Sequence, residues 1–274
     1  ATQTFLAKPV VRPSDEELDK LAAVLNDSKN KKIALYCGHG CQHAVKEVEQ
    51  LAETLKAPIV ASFRGKIFFD RPDSPYIAGM NGLLGHSSGY DACAKADVLV
   101  MLGTDFPYAE FLPKKSTIIQ IDGRPDIIGR RAKVDYGFAG DIKDAITALL
   151  PKLSARTDDG FLKDIHKEYL ELEKSLDDYT QKKTEEKQID PEYAAKLLDK
   201  YAANDAIFTV DTGMNVVWAA RFIKGTGNRY LTGSFNHGSM ANALPMAIGA
   251  AASAKGRQVV AMCGDGGLSM LLGD

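Results

Sequence analysis

The chain has 274 residues, 45% of them hydrophobic and 26% charged, with a formal net charge of −2, which is an ordinary globular balance and enough length for one large domain or two smaller ones. The near-neutral charge, with no basic stripe, excludes nucleic acid as a partner. No apolar run approaches the ~20 residues of a membrane span, and four cysteines are too few for a disulfide scaffold.

Residues 1–13 are punctuated by proline and read as an extended lead-in. Ser14-Asp15-Glu16-Glu17 has the spacing of a capping box and predicts a helix to about Asn26. Lys32–Tyr36 is a short apolar strand and Gly38-His39-Gly40 a turn. Cys41–Leu55 places Val45, Val48, Leu51, Ala52 and Leu55 on one helical face. Cys37 and Cys41 flank the turn without two further ligands at zinc spacing, so they read as reduced structural thiols. Pro58–Ser62 reads as strand, Asp91–Ala96 as a helix end, and Asp97–Leu102 and Ser116–Asp122 as strands. Val134–Ala139 reads as an edge strand, and Asp141 opens a helix to Leu153. Strands alternating with helices over 14–153 predict an α/β unit with a doubly wound parallel sheet.

Residues 154–189 are dominated by Asp, Glu and Lys and read as a charged helical linker, with a polar break at Thr184–Gln188. Asp190-Pro191 opens a further helix. A second alternation follows: strand Ala206–Val210, turn Asp211-Thr212-Gly213, helix to about Phe222, strand Arg229–Thr232, helix Ser239–Ala254 and strand Gln258–Cys263. Residues 190–274 are therefore expected to form the first part of a second, truncated α/β domain. The sequence stops within what reads as the first turns of a helix, so a longer protein is expected.

Two glycine-rich segments carry the chemistry. Gly264-Asp265-Gly266-Gly267 follows a strand: bare backbone N–H groups there suit a diphosphate, and the Asp265 carboxylate suits a divalent cation. A plain tight turn is the alternative. Gly233-Ser234-Phe235-Asn236-His237-Gly238-Ser239-Met240 also follows a strand and opens at the same sheet edge, where ligands bind in this architecture. In the first unit, Gly38 and Gly40 form either a phosphate-approach site or only a strand-to-helix turn. Ser62-Phe63-Arg64-Gly65-Lys66 follows the second strand, and Arg64 could pair bidentately with a diphosphate. Asn81-Gly82-Leu83-Leu84-Gly85 has two glycines that let backbone approach a flat ring. Asp122 suits a ribose hydroxyl. Asp141 suits either a ligand or a helix N-cap. No His is placed with a Ser or Cys nucleophile to build a hydrolytic triad.

The segments Gly233–Pro245, Val259–Asp274, Trp218–Arg221 and Ser234–Asn242 together resemble the thiamine-diphosphate enzymes, in particular the flavin-containing pyruvate oxidases and quinone-dependent pyruvate dehydrogenases. The resemblance implies a middle flavin-binding domain, a linker and the start of the diphosphate-binding domain. It implies that Asp265 ligates Mg2+, that Gly266 and Gly267 donate to the diphosphate, and that Gly238, Ser239 and Met240 line the thiamine rings. Met240 would be the apolar wedge under the bent cofactor, with a core residue at a helix start as the alternative. FAD is expected on Gly38, Gly40, Ser62, Phe63, Arg64, Gly65, Asn81, Gly82, Leu83, Leu84, Gly85, Asp122 and Asp141. The family's activating glutamate has no counterpart in this chain, so no catalytic residue is assigned and the isolated chain is expected to be inactive. The implied activity is oxidative decarboxylation of pyruvate, with electrons passed to a quinone or O2. The implied setting is a homotetramer, cytoplasmic or peripheral to the inner face of the membrane. The competing expectations are a carboligase of acetolactate synthase type and a nucleotide-binding regulatory module.

Overall fold

The computed structural model of the protein describes residues 9–28, 31–71, 73–183 and 189–273. The expectations for residues 1–8, for the polar break 184–188 and for residue 274 lie outside the described residues. Helix α1 (Asp15–Asp27) begins at the predicted capping box: the Ser14 hydroxyl accepts from the Glu17 amide, and the Glu17 carboxylate accepts from the Ser14 amide at 2.8 Å. Its buried face is Leu18, Leu21, Ala22 and Leu25.

Strands β1 (Ile33–Cys37), β2 (Ile59–Ala61), β3 (Ile77–Met80), β4 (Val98–Leu102), β5 (Thr117–Asp122) and β6 (Tyr136–Ala139) form one parallel sheet in the order β3, β2, β1, β4, β5, β6. Every residue of β1 and β4 is buried. Both faces of the sheet are covered, which is why these strands read as unbroken apolar runs. At the edge, only Phe138 of β6 is buried. Helices α2 (Val45–Leu55), α3 (Phe63–Phe69) and α4 (Ser87–Lys95) connect successive strands, α5 (Ile142–Leu149) follows β6, and α6 (Gly160–Lys183) packs on α4 and β3.

Differences from the sequence reading have local causes. Residues 63–80, which the sequence reading leaves without elements, carry α3 and β3. Five of the seven residues of α3 are buried and its one exposed residue is Arg64, too little of a polar face to reveal a helical period. Residues His39–Cys41 form a tight 3-10 turn, which delays α2 to Val45.

Helix α7 (Pro191–Tyr201) is capped by Asp190. Beyond it, β7 (Ile207–Val210) lies between β8 (Tyr230–Gly233) and β9 (Val259–Met262) in a second parallel sheet. Helices α8 (Met214–Phe222), α9 (Ala243–Ser253) and α10 (Asp265–Met270) follow β7, β8 and β9 in turn. Helix α9 starts at Ala243 rather than Ser239, because residues 234–242 form an ordered loop. The two sheets share one apolar core, in which Ile67 and Phe69 join Phe208, Val210 and Ile223.

A buried charge cluster crosses the same junction. Lys66 and Asp70 are fully buried, with Lys66 Nζ 2.9 Å from Asp70 Oδ2. Lys224, just past α8, places Nζ 3.2 Å from Asp70 Oδ2 and 2.7 Å from Glu173 of α6. The Tyr169 hydroxyl donates to Asp70 Oδ1, and Lys66 Nζ donates to the Ile223 carbonyl.

Candidate functional site

Because β7, β8 and β9 are parallel, their carboxyl ends open on one edge. The loop after β8 is folded on itself: the Gly238 amide donates to the Ser234 carbonyl at 2.6 Å, and the Ser239 amide to Ser234 Oγ at 3.1 Å. Gly238 has φ +78°, and a Cβ there would meet nothing within 4 Å. Met240 is 47% exposed, so it is not the core residue of the alternative reading. Its Cε lies 3.2 Å from where a Cβ on Gly266 would stand, so the two glycine-rich segments meet at this methionine. Asp265 is exposed at the start of α10, and its Oδ1 accepts from the Gly266 amide at 2.8 Å. Gly267 is a glycine for an internal reason: a Cβ there would stand 2.1 Å from Asp211 Oδ2.

The donor set fits Mg2+ with a diphosphate. Among the described residues no group of three or more His, Cys, Asp or Glu could hold a metal. Mg2+ is commonly held by one or two carboxylates, with phosphate oxygens and water completing its octahedron. One open carboxylate beside two glycines offers that arrangement.

The first sheet's carboxyl edge carries the other predicted residues, and most of their polar atoms have internal partners. Gly38 and Gly40 pack on the loop after β4. Added Cβ atoms would lie 2.3 Å from the Gly103 carbonyl oxygen and 2.7 Å from Gly103 Cα. The close approach at Gly38 and Gly40 is thus made by the protein's own backbone. Residues 62–66 are not a loop: Ser62 caps α3 by accepting from the Gly65 amide, Phe63 and Arg64 form its first turn, and a Cβ on Gly65 would lie 2.5 Å from the Cys37 carbonyl oxygen. Asn81 donates to the Phe111 carbonyl at 2.9 Å and accepts from the Gly82 amide at 2.8 Å. Gly82, at φ +107°, lies under the ring of Phe106, and Gly85 closes the same turn. Leu83 is 65% exposed, whereas Leu84 packs on Ala61, Met80 and Ala220. Asp122 Oδ1 accepts from the Arg124 amide at 2.9 Å, and burial raises its pKa. Asp141 is an N-cap, accepting from the Lys143 and Asp144 amides.

The structure brings the two edges together. The Phe63 and Phe235 rings meet edge to face with centroids 4.7 Å apart, and Arg64 Nη1 donates to Asn236 Oδ1 at 3.2 Å. Arg221 of α8 donates to the Gly85 carbonyl at 2.9 Å. Sequence reasoning places these loops in separate units and misses their junction, which joins residues 172 positions apart. It also assigns no site role to Asp211, read only as part of the Asp211-Thr212-Gly213 turn, or to Asn242, read only as the end of the Ser234–Asn242 run.

His86, which follows Gly85, is 3% exposed, and its Nδ1 accepts from the Met80 amide at 3.4 Å. Burial, helped by the Arg221 charge, pushes its pKa down to about 3 from an ordinary 6.5. The unfolded chain therefore takes up a proton below pH 6.5 that the native state refuses, so stability falls as pH falls. Between pH 6.5 and about pH 5 this amounts to about 2 kcal/mol. His86→Phe is expected to flatten that part of the profile, as read by urea midpoints at about pH 7 and about pH 5.

Comparison with known proteins agrees with this layout. Residues 18–149 match the thiamine pyrophosphate enzyme central domain, and residues 211–274 match the thiamine pyrophosphate enzyme C-terminal TPP binding domain. The putative thiamine pyrophosphate-containing protein YdaP of Bacillus subtilis is 34% identical over 269 residues, covering 96% of this chain and 45% of that protein. Pyruvate oxidase of Lactiplantibacillus plantarum is 32% identical over 252 residues, covering 88% of this chain and 40% of that protein. Acetolactate synthase of Mycobacterium bovis is 29% identical over 281 residues, covering 96% of this chain and 43% of that protein. The chain thus spans less than half the length of these relatives. With a six-stranded parallel sheet in the central-domain match and a glycine-rich, aspartate-bearing edge in the C-terminal match, the chain belongs to the thiamine pyrophosphate enzyme family.

Proposed function

We propose that the protein takes part in the oxidative decarboxylation of pyruvate, using thiamine pyrophosphate, Mg2+ and FAD, with electrons leaving to a quinone or O2. The contact between the two candidate cofactor edges, Phe63 on Phe235 and Arg64 on Asn236, carries this reading. Two cofactors held on these edges would be neighbours, as electron transfer between them requires. Asp265 would hold the cation, and the Gly266 and Gly267 amides would hold the diphosphate. Gly238, Ser239 and Met240 would position the thiamine rings. In the first unit, Arg64, the backbone of residues 82–85 and Asp122 would hold FAD, within proposed boundaries of 14–153, 154–189 and 190–274. When bound, the thiamine ring supplies the electron sink for loss of CO2, and the flavin supplies the electron acceptor. The protein's own part is to orient both, with Met240 against the Gly266 turn on one edge. No helix among the described residues is long and apolar enough to cross a membrane.

A carboligase of acetolactate synthase type is the second reading, supported by 29% identity along 96% of the chain. In that reaction the flavin undergoes no net redox change. A regulatory nucleotide module has no use for the Asp265 turn. Anaerobic addition of pyruvate to the full-length protein loaded with all three cofactors separates the readings. Rapid bleaching of the flavin's visible band is expected. Carbon–carbon coupled product formed while the flavin stays oxidised would move the assignment to the carboligase.

A further inference from the structure

Asp211 follows β7, the middle strand of the second sheet, and is 1% exposed. Its Oδ1 accepts from the Ala243 amide at 2.8 Å and from the Asn242 side-chain amide at 3.2 Å. Asn242 then closes the glycine-rich loop at both ends. Its Oδ1 accepts from the Ser234 amide at 3.1 Å, and its Nδ2 donates to the Ser239 carbonyl at 2.7 Å. Asp211 Oδ2 is buried and has no hydrogen-bond partner among the described residues. It lies against Gly267, where an added Cβ would stand 2.1 Å away. One carboxylate therefore touches both glycine-rich segments.

Ala241 lies between them. It is buried and has φ +61°, a left-handed conformation that a residue with a Cβ adopts under strain. Its amide nitrogen is 3.4 Å from the same Cβ position on Gly267. Strain of this kind persists only where the surroundings over-determine it, and it gathers at sites that must be pre-organised. A buried carboxylate oxygen without a partner is costly in the same way. Ala241 directly follows Met240, the residue that meets Gly266, and the Asp211 oxygen lies against the next residue of that turn, Gly267.

We propose that Asp211 is the positioning residue of the thiamine pyrophosphate site. Through Asn242 and the Ala243 amide it holds Ala241 left-handed, and so sets Met240 over the Gly266-Gly267 turn. This rests on the proposed placement of the cofactor at the second sheet's edge. Asp211 itself touches no reacting atom. Its effect is on the spacing of two loops that a single ligand must bridge.

The test uses the full-length protein with Asp211→Ala, Ala241→Gly and the double variant. Amide hydrogen exchange over residues 234–243, without cofactor, reads the clasp alone. Calorimetric titration with thiamine pyrophosphate and Mg2+ reads the site. Asp211→Ala is expected to speed exchange at the Ser239 and Ala243 amides and to weaken cofactor affinity at least tenfold. Ala241→Gly alone is expected to leave affinity within about threefold, since glycine adopts the left-handed conformation freely. The double variant is expected to recover at least threefold of the lost affinity, because the turn no longer needs to be forced. Far-UV circular dichroism confirms folding, and if Asp211→Ala does not fold, Asp211→Asn is expected to give the same pattern at smaller size. Unchanged exchange and affinity in Asp211→Ala, or no recovery in the double variant, overturns the proposal. A wild-type protein that binds no thiamine pyrophosphate, with exchange still governed by Asp211, overturns the cofactor placement and leaves only the clasp.

Discussion

Asp265→Ala is expected to abolish Mg2+-dependent binding of thiamine pyrophosphate to the full-length protein while flavin, where bound, stays in place. The carboxylate is exposed, and its visible partner is its own neighbour, the Gly266 amide. A diphosphate bound there would otherwise meet no neutralising cation, and bare N–H groups alone would have to hold its charge. Loss of an outer-shell partner commonly costs roughly 10- to 100-fold in metal affinity, so loss of a direct ligand is expected to cost more. Stability should change little, because an exposed acid at a helix start contributes at most about 1 kcal/mol. Titration of thiamine pyrophosphate at fixed Mg2+, with the flavin-to-protein absorbance ratio as control, decides the matter. Unchanged affinity would mean that the cation sits elsewhere.

The second large effect concerns stability. Asp70→Ala would leave Lys66 and Lys224 facing each other in the core without their shared carboxylate. Removing one partner from a buried ion pair typically costs 3–5 kcal/mol, and about that loss is expected here. Lys66→Met should cost less, since Asp70 keeps Lys224 and the Tyr169 hydroxyl. Burial alone would raise the Asp70 pKa, but Lys224 and Lys66 outweigh it and hold the carboxyl well below its ordinary value of 3.8. The sign follows from linkage. With the folded value depressed, the contribution of Asp70 is present above pH 3.8 and is lost as pH falls below it. Urea unfolding at neutral pH measures both variants. Because the cluster joins α3, α6 and the segment after α8, Asp70→Ala is also expected to separate the transitions of the two sheets. Equal stability of the two variants would show that Asp70 is not the centre of the cluster.

Much of this molecule is legible without a structure, because local rules dominate where the signal is strong. The Ser14 capping box, the fully apolar β1 and β4, and the amphipathic face of α2 follow from period and end chemistry alone. Gly264-Asp265-Gly266 announces a cation-ready turn because a strand, two glycines and one carboxylate lie side by side in sequence. Residues 63–80 are illegible for the opposite reason. Helix α3 is short and buried at five of its seven residues, β3 is four residues long, and Lys66 and Asp70 look like surface charges until three distant segments enclose them.

The sequence by itself determined the alternation of strands and helices, hence two parallel sheets, and which turns could meet a phosphate or a cation. Tertiary structure alone decided why most of the glycines at those turns are glycines. Gly38 and Gly40 make room for Gly103, Gly82 for the Phe106 ring, and Gly267 for Asp211. It also decided that Arg64 reaches Asn236, that Met240 stands over Gly266, and that Ala241 is held left-handed. The physical reason is range. Hydrogen-bond period and capping act over a few residues, whereas close packing and the pairing of buried charge act between whichever residues the folded chain brings into contact.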